Sequence, residues 1–128
     1  MSNSQQVLVI GSGAAGMTVA LELSNNHKVS ILSKSAIESG STWWAQGGIA
    51  SVFDHEDSIE SHYQDTLKAG AGMCHEKTVR AAVERGPKAI RWLVEQGVEF
   101  TQNTSDEYHL TREAGHSHRR ILHSADAT

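Results

Sequence analysis

Apolar positions open this chain without interruption, from Val7 through Leu8 and Val9 to Ile10, in a β-branched stretch that begins at Gln5 and stops at Gly11. A strand is predicted there. From Ala14 to Leu23 helix formers take over, with apolar residues at 17, 20, 21 and 23, and Val29-Ser30-Ile31-Leu32 restores a strand pattern after the polar Asn25-Asn26-His27-Lys28. The first thirty-odd residues therefore predict a β-α-β unit with parallel strands and a right-handed crossover.

Neither period continues from Ser33 to Ala50, where small polar residues surround Trp43-Trp44 and Ala45-Gln46-Gly47-Gly48, so an extended loop is expected. Asp57 to Ala69 reads as a helix capped by Asp57, answered by Glu60 three positions on and stopped by Gly70. Thr78–Arg85 and Lys88–Gln96 read as two short helices separated by Gly86-Pro87, with Gly97 ending the second. Val98-Glu99-Phe100 and Tyr108-His109-Leu110 are short strand candidates around a polar loop, Thr101–Glu107. The tail from Thr111 crowds arginines and histidines around Gly115, a composition suited to polar contacts.

A doubly wound sheet needs several parallel strands, yet no long β-branched run follows Leu32, and two strands alone are not independently stable. Ala125-Asp126-Ala127-Thr128 also offers a helix cap with no helix after it. The expectation is one domain at most, the N-terminal piece of something larger.

Composition narrows the classes. Eleven Lys+Arg against fifteen Asp+Glu give a formal charge of −4, which argues against nucleic acid or anionic membrane as a partner. A single cysteine, Cys74, cannot form an internal disulfide and suits a reducing compartment, so a cytoplasmic location is expected. Its simplest reading is a buried small hydrophobe. The longest apolar run is too short to span a bilayer.

The strand-to-helix junction carries the clearest chemistry. Gly11-Ser12-Gly13-Ala14-Ala15-Gly16 matches G-x-G-x-x-G: Gly11 permits the tight turn, Gly13 lets a pyrophosphate approach the backbone, and Gly16 lets helix and strand pack closely. Helix N–H groups and dipole then favour the anion. At the end of the second strand, where an acid would take the ribose hydroxyls of NAD, stands Ser33-Lys34. This pair argues against NAD and leaves NADP, through its 2′-phosphate, or FAD, with Lys34 at the phosphates and Ser33 at the ribose. A solvated lysine is the plain alternative.

Three segments together resemble a known family: Gly11–Gly16 with Ser33-Lys34, Gly40-Ser41-Thr42-Trp43-Trp44-Ala45-Gln46-Gly47-Gly48-Ile49-Ala50, and His109-Leu110-Thr111-Arg112-Glu113-Ala114-Gly115-His116-Ser117-His118-Arg119-Arg120-Ile121-Leu122-His123. They resemble the L-aspartate oxidases, relatives of the flavoprotein subunits of succinate dehydrogenase and fumarate reductase. The resemblance implies an α/β fold, the N-terminal portion (residues 1–128) of a Rossmann-like FAD-binding domain whose capping and C-terminal helical domains lie outside it. It implies FAD, with Ser12 to Ala15 near the pyrophosphate, Lys34 near the adenosine half, and Ser41, Thr42, Trp43, Trp44, Ala45, Gln46, Gly47 and Gly48 along the flavin. Ser41 stands where the dehydrogenase type has a histidine bonded to the flavin, so FAD is implied to be noncovalent. The reaction implied is oxidation of L-aspartate to iminoaspartate, reoxidised by oxygen or fumarate, with a product that feeds quinolinate and NAD synthesis and a hand-off to quinolinate synthase. Glu113 is implied to orient the substrate ammonium, the proton-transferring arginine lies beyond residue 128, and residues 1–128 alone are not expected to catalyse the reaction.

Other readings compete. His109, His116, His118 and His123 invite a metal, but Arg112, Arg119 and Arg120 among them would repel a dication and the spacing fits no closed zinc pattern, so no metal site is expected. The segment reads instead as anion-facing. Glu113 within it needs a partner, either the substrate or a neighbouring arginine in a structural ion pair. Trp43 and Trp44, taken without the glycines beside them, read as core aromatics. A noncatalytic dinucleotide-binding module and a fumarate reductase-like flavoprotein are the rival functions.

Overall fold

A computed structural model describes residues 5–45, 47–103 and 107–124; the cap reading of Ala125–Thr128 lies outside them. The chain divides into two compact units, residues 1–46 and 47–128.

In the first unit β1 (Gln6–Ile10) and β2 (Lys28–Leu32) pair in parallel, from Gln6 opposite Lys28 to Ile10 opposite Leu32. Gly11 extends the ladder by donating to the Leu32 carbonyl at 2.8 Å. Helix α1 (Ala14–Ser24) crosses between the strands and packs on both. Alternation decides what it covers: Val7 and Val9 are half-buried, and Val9 lies against α1 near Gly16. The opposite face shows Leu8 at 60%, Ile10 at 79% and Leu32 at 54% exposure, an apolar surface that nothing within the unit covers. Between β2 and the end of this unit the chain makes a short 3₁₀ turn (Ile37–Ser39) and a turn over Ser41–Trp44.

The second unit joins three two-residue strands to two helices. Strands β3 (Ile49–Ala50), β4 (Leu110–Thr111) and β5 (Ile121–Leu122) form an antiparallel sheet in the order β3-β5-β4. Ile121 and Leu122 are buried at its centre. The tail read as polar thus supplies the central strand, because Ile121-Leu122 is too short for a period to announce it. Of the two strand candidates at 98–100 and 108–110, only Leu110 enters a strand, while Tyr108 makes an isolated bridge to Gln102.

Helix α2 (Ile59–Ala69) packs on α3 (Glu76–Glu95). Ser58, not Asp57, caps α2, its hydroxyl accepting the Ser61 N–H at 3.0 Å; Gly70 ends it as expected. Asp57 is drawn away by Arg120. Where two short helices were expected, α3 runs unbroken through Gly86 and Pro87. Pro87 leaves the Val83 carbonyl without its i+4 donor. Even so, Val83 and Ile90, seven residues apart on one face, are both buried, so packing of the stripe overrides the local signal. Gly86 serves approach rather than punctuation: a Cβ there would stand 3.0 Å from Ser51 Oγ. The expected stop does appear at Gly97, whose φ of +94° closes a Schellman motif in which Gly97 donates to the Val94 carbonyl and Val98 to that of Leu93. Among the described residues no helix is long and apolar enough to cross a membrane.

Candidate functional site

The glycine turn has the geometry its spacing demands. Gly11 sits at φ +110°, a conformation that favours glycine, and Gly13 is extended (φ −75°, ψ 175°) as the N-cap residue of α1. A Cβ on Gly16 would overlap the Gly11 carbonyl oxygen, so only glycine lets α1 lie this close to the end of β1. The first turn of α1 holds no acidic residue and no side chain of the N-cap bonds to it. Its Ala14 N–H donates to the Thr42 hydroxyl at 3.1 Å, while Ala15 and Gly16, like all first-turn donors, lack intrahelical acceptors. Unspent donors, a positive dipole end and no opposing carboxylate make a fitting cradle for a diphosphate.

The remaining residues of this cradle have definite places. Ser12 and Ser33 share a hydroxyl–hydroxyl bond of 2.8 Å that ties the turn to the chain leaving β2, and Lys34 beside it is exposed. Ser41 to Ala45 follow as a turn closed by its own backbone, Trp43 donating to the Gly40 carbonyl at 3.1 Å. Trp43 and Trp44 are 64% and 72% exposed, which corrects their reading as core aromatics: a locally closed turn presents its side chains outward. Gln46 lies outside the described residues. Gly47 (φ +100°) and Gly48 belong to the second unit, where a Cβ on Gly48 would overlap the Ile121 side chain of β5. Cys74 is half-buried against Gly70, where a Cβ would overlap its sulfur.

The second unit centres on a buried ion network that the sequence did not announce. Arg120 is 0% exposed and grips Asp57 with two bonds of 2.8 Å, Nε to Oδ2 and Nη2 to Oδ1. Its Nη1 reaches Asp65 Oδ2 at 2.9 Å. Asp65 Oδ2 also accepts the Ser117 N–H and hydroxyl, each at 2.7 Å. Burial pushes the Asp65 carboxyl up, but the Ser117 donors and the Arg120 guanidinium outweigh it and hold the group down to about 2. His62, buried beside His116 with ring centroids 5.7 Å apart, is held below the ordinary histidine range by burial first, then by the Arg120 charge and His116.

Glu113 sits on the 112–119 loop between β4 and β5. The loop is closed at its base by Arg120 donating to the Thr111 carbonyl at 3.0 Å, and it turns at Gly115 (φ +86°), where His116 donates to the Glu113 carbonyl at 3.2 Å. Glu113 is exposed, and among the described residues no arginine pairs with its carboxylate. Arg120, a candidate structural partner, is spent on Asp57 and Asp65. The anion faced by the innermost arginine of the tail is therefore internal. No local spacing could have found it, since its partners lie 63 and 55 residues away in sequence.

A parallel β-α-β unit with this glycine turn defines a dinucleotide-binding protein of the α/β class. Residues 6–128 match the family described as FAD binding domain, and the chain belongs to that family. It is 57% identical over 129 residues to the L-aspartate oxidase of Pseudomonas aeruginosa and 58% identical over 127 residues to that of Vibrio cholerae, covering 95% of this chain and 24% of each relative. The chain thus spans about a quarter of the length of these curated relatives. Among solved structures it resembles the Sdh1 complex of Mycobacterium smegmatis (TM-score 0.86, 25% identity, 98% of this chain and 22% of that one). It also resembles the quinol fumarate reductase FrdA of E. coli (TM-score 0.81, 26% identity, 92% of this chain and 21% of that one). The Rossmann-like α/β reading and FAD as the cofactor follow.

Proposed function

We propose that the whole protein to which this chain belongs is a cytoplasmic flavoenzyme that oxidises L-aspartate to iminoaspartate, with oxygen or fumarate restoring the cofactor. The observation that carries this reading is identity of 57% and 58% along nearly the whole chain to two L-aspartate oxidases. FAD, when bound, supplies the two-electron acceptor. Gly11 to Gly16 and the first-turn N–H groups of α1 hold its diphosphate, Ser33 and Lys34 serve the adenosine half, and Ser41 to Gly48 serve the flavin half. Ser41 has no imidazole with which to attach the flavin, so the cofactor is noncovalent. The iminoaspartate would serve quinolinate and NAD synthesis, with quinolinate synthase as the receiving enzyme.

Glu113 takes the substrate role. Aspartate differs from succinate by one ammonium group, which calls for a negative acceptor, and Glu113 presents a carboxylate that no described arginine neutralises. Glu113→Gln in the full-length protein removes that charge at nearly constant volume and is expected to lower aspartate oxidation about ten- to a hundredfold, the worth of a charged hydrogen bond of about 1.5–3 kcal/mol. Fumarate reduction should persist. Purified protein should be yellow and release its flavin on acid precipitation; a colourless protein that FAD does not reconstitute overturns the oxidase reading, and equal loss of both activities in Glu113→Gln overturns the role of Glu113.

A further inference from the structure

Among the described residues, the shortest side-chain bonds that hold the 112–119 loop from outside its own hairpin converge on one atom. Asp65 Oδ2, on α2, accepts both Ser117 donors at 2.7 Å and the Arg120 guanidinium at 2.9 Å. The Arg120–Thr111 backbone bond and the Glu113–His116 turn are internal to the hairpin and set its shape but not its position on α2, while His118 Nδ1 lies 3.5 Å from Asp57 Oδ1 and the His116 ring packs beside His62 of α2. Ser61, also on α2, adds weaker hydroxyl contacts of 3.1 Å to Ser117 and to His118 Nδ1. Arg120 cannot shift to make room, since it is fully buried and fixed by Asp57.

We propose that Asp65 is a positioning residue for substrate selection: through Ser117 it fixes the loop that carries Glu113, and so sets where the Glu113 carboxylate meets the substrate ammonium. The inference rests on the proposed role of Glu113. Asp65 itself touches the loop and Arg120, not the substrate. Its carboxylate is charged at every working pH, because the three donors that define the link also keep it ionised. A catalytic carboxylate displaced by a loop shift of about 1 Å loses on the order of a hundredfold where orientation is critical, and less where it only assists binding.

The test is a double-mutant cycle in the full-length holoenzyme with Asp65→Asn, Glu113→Gln and the pair, scored as kcat/KM for aspartate oxidation divided by that for fumarate reduction. Asp65→Asn should lower this ratio by about tenfold, within the range that misplaced groups show, and should add nothing once Glu113 is Gln. Ser117→Ala, which cuts the hydroxyl link and leaves the Arg120 pairs intact, should move the ratio in the same direction by less, and serves if Asp65→Asn fails to fold. Hydrogen exchange should rise in residues 112–119 of each variant with α3 unchanged. A purely structural Asp65 would lower both activities together and leave the ratio alone. Additive effects with Glu113→Gln, or an unchanged loop exchange, overturn the positioning role. A ratio indifferent to Glu113→Gln overturns the Glu113 reading and this inference together, whereas a ratio that responds to Glu113→Gln but not to Asp65→Asn or Ser117→Ala overturns this inference alone.

Discussion

Removing the guanidinium at the centre of the second unit is the severest test of how that unit holds together. Arg120→Met keeps a long apolar stem of similar reach and deletes only the charge and its donors. What remains is Asp57, whose side chain is 0% exposed, and Asp65, 17% exposed, both without the cation that offsets their burial. Breaking one side of a buried pair typically costs about 3–5 kcal/mol, most of it the uncompensated charge left behind. A domain has about 5–15 kcal/mol in hand, so the loss is a large part of the total. At an m-value of about 1.5 kcal/mol per M, the urea midpoint followed by far-UV circular dichroism should fall by about 2–3 M. Arg91→Met, on the exposed side of α3, should shift it hardly at all, by about 0.5 kcal/mol or less. Adding Asp57→Asn to Arg120→Met should recover much of the loss, since the stranded charge is then gone. A midpoint for Arg120→Met that matches Arg91→Met would refute the reasoning, because the network would then be contributing nothing that water does not.

Three further outcomes are expected. Gly16→Ala, whose methyl would overlap the Gly11 carbonyl oxygen, should force α1 off the end of β1 at a cost of about 1–3 kcal/mol and strip FAD from the full-length protein, read as lost flavin absorbance after gel filtration. Ser58→Ala should destabilise by about 1 kcal/mol through loss of the α2 cap in a urea titration. On acidification, stability should decline in two stages: His62, whose folded pKa lies below 6.5, resists the proton that the unfolded chain accepts, so loss begins near pH 6.5, and Asp65 adds a second loss between pH 3.8 and about 2, where the unfolded carboxyl is protonated before the folded one. His62→Gln should flatten the first stage.

What the sequence could reveal followed the range of the interactions. The β-α-β opening was legible because strand, glycine turn and helix are each specified by neighbours within a few residues, and the structure gives Gly11 the positive φ of a tight turn and sets Gly16 against the Gly11 carbonyl as their spacing implies. Gly97 was legible for the same reason. Pro87 misled because its local cost is real, while the gain that overrides it, burial of Val83 and Ile90, depends on partners far along the chain. Asp57 misled because it satisfies the capping pattern with Glu60 while Ser58, with no acid three positions on, is the residue that caps, and Asp57 is instead engaged by Arg120, 63 residues away. Trp43 and Trp44 were judged by residue type, which says nothing about which way a closed turn faces. The substrate role proposed for Glu113 was readable only through resemblance, since an exposed glutamate on a turn carries no signal of its own.

The bare face of β1 and β2 has a consequence for biosynthesis. Both strands of a two-stranded sheet are edges, and here the edges carry Leu8, Ile10 and Leu32 outward as well. Residues 1–46 leave the ribosome before residues 47–128, which need several seconds more at about 5–20 residues per second. A nascent chain at that stage displays an adhesive strip flanked by open backbone donors and acceptors, and the strip stays exposed among the described residues, which makes the chain a natural client for chaperones that shield apolar surface and, at high expression, a seed for inclusion bodies.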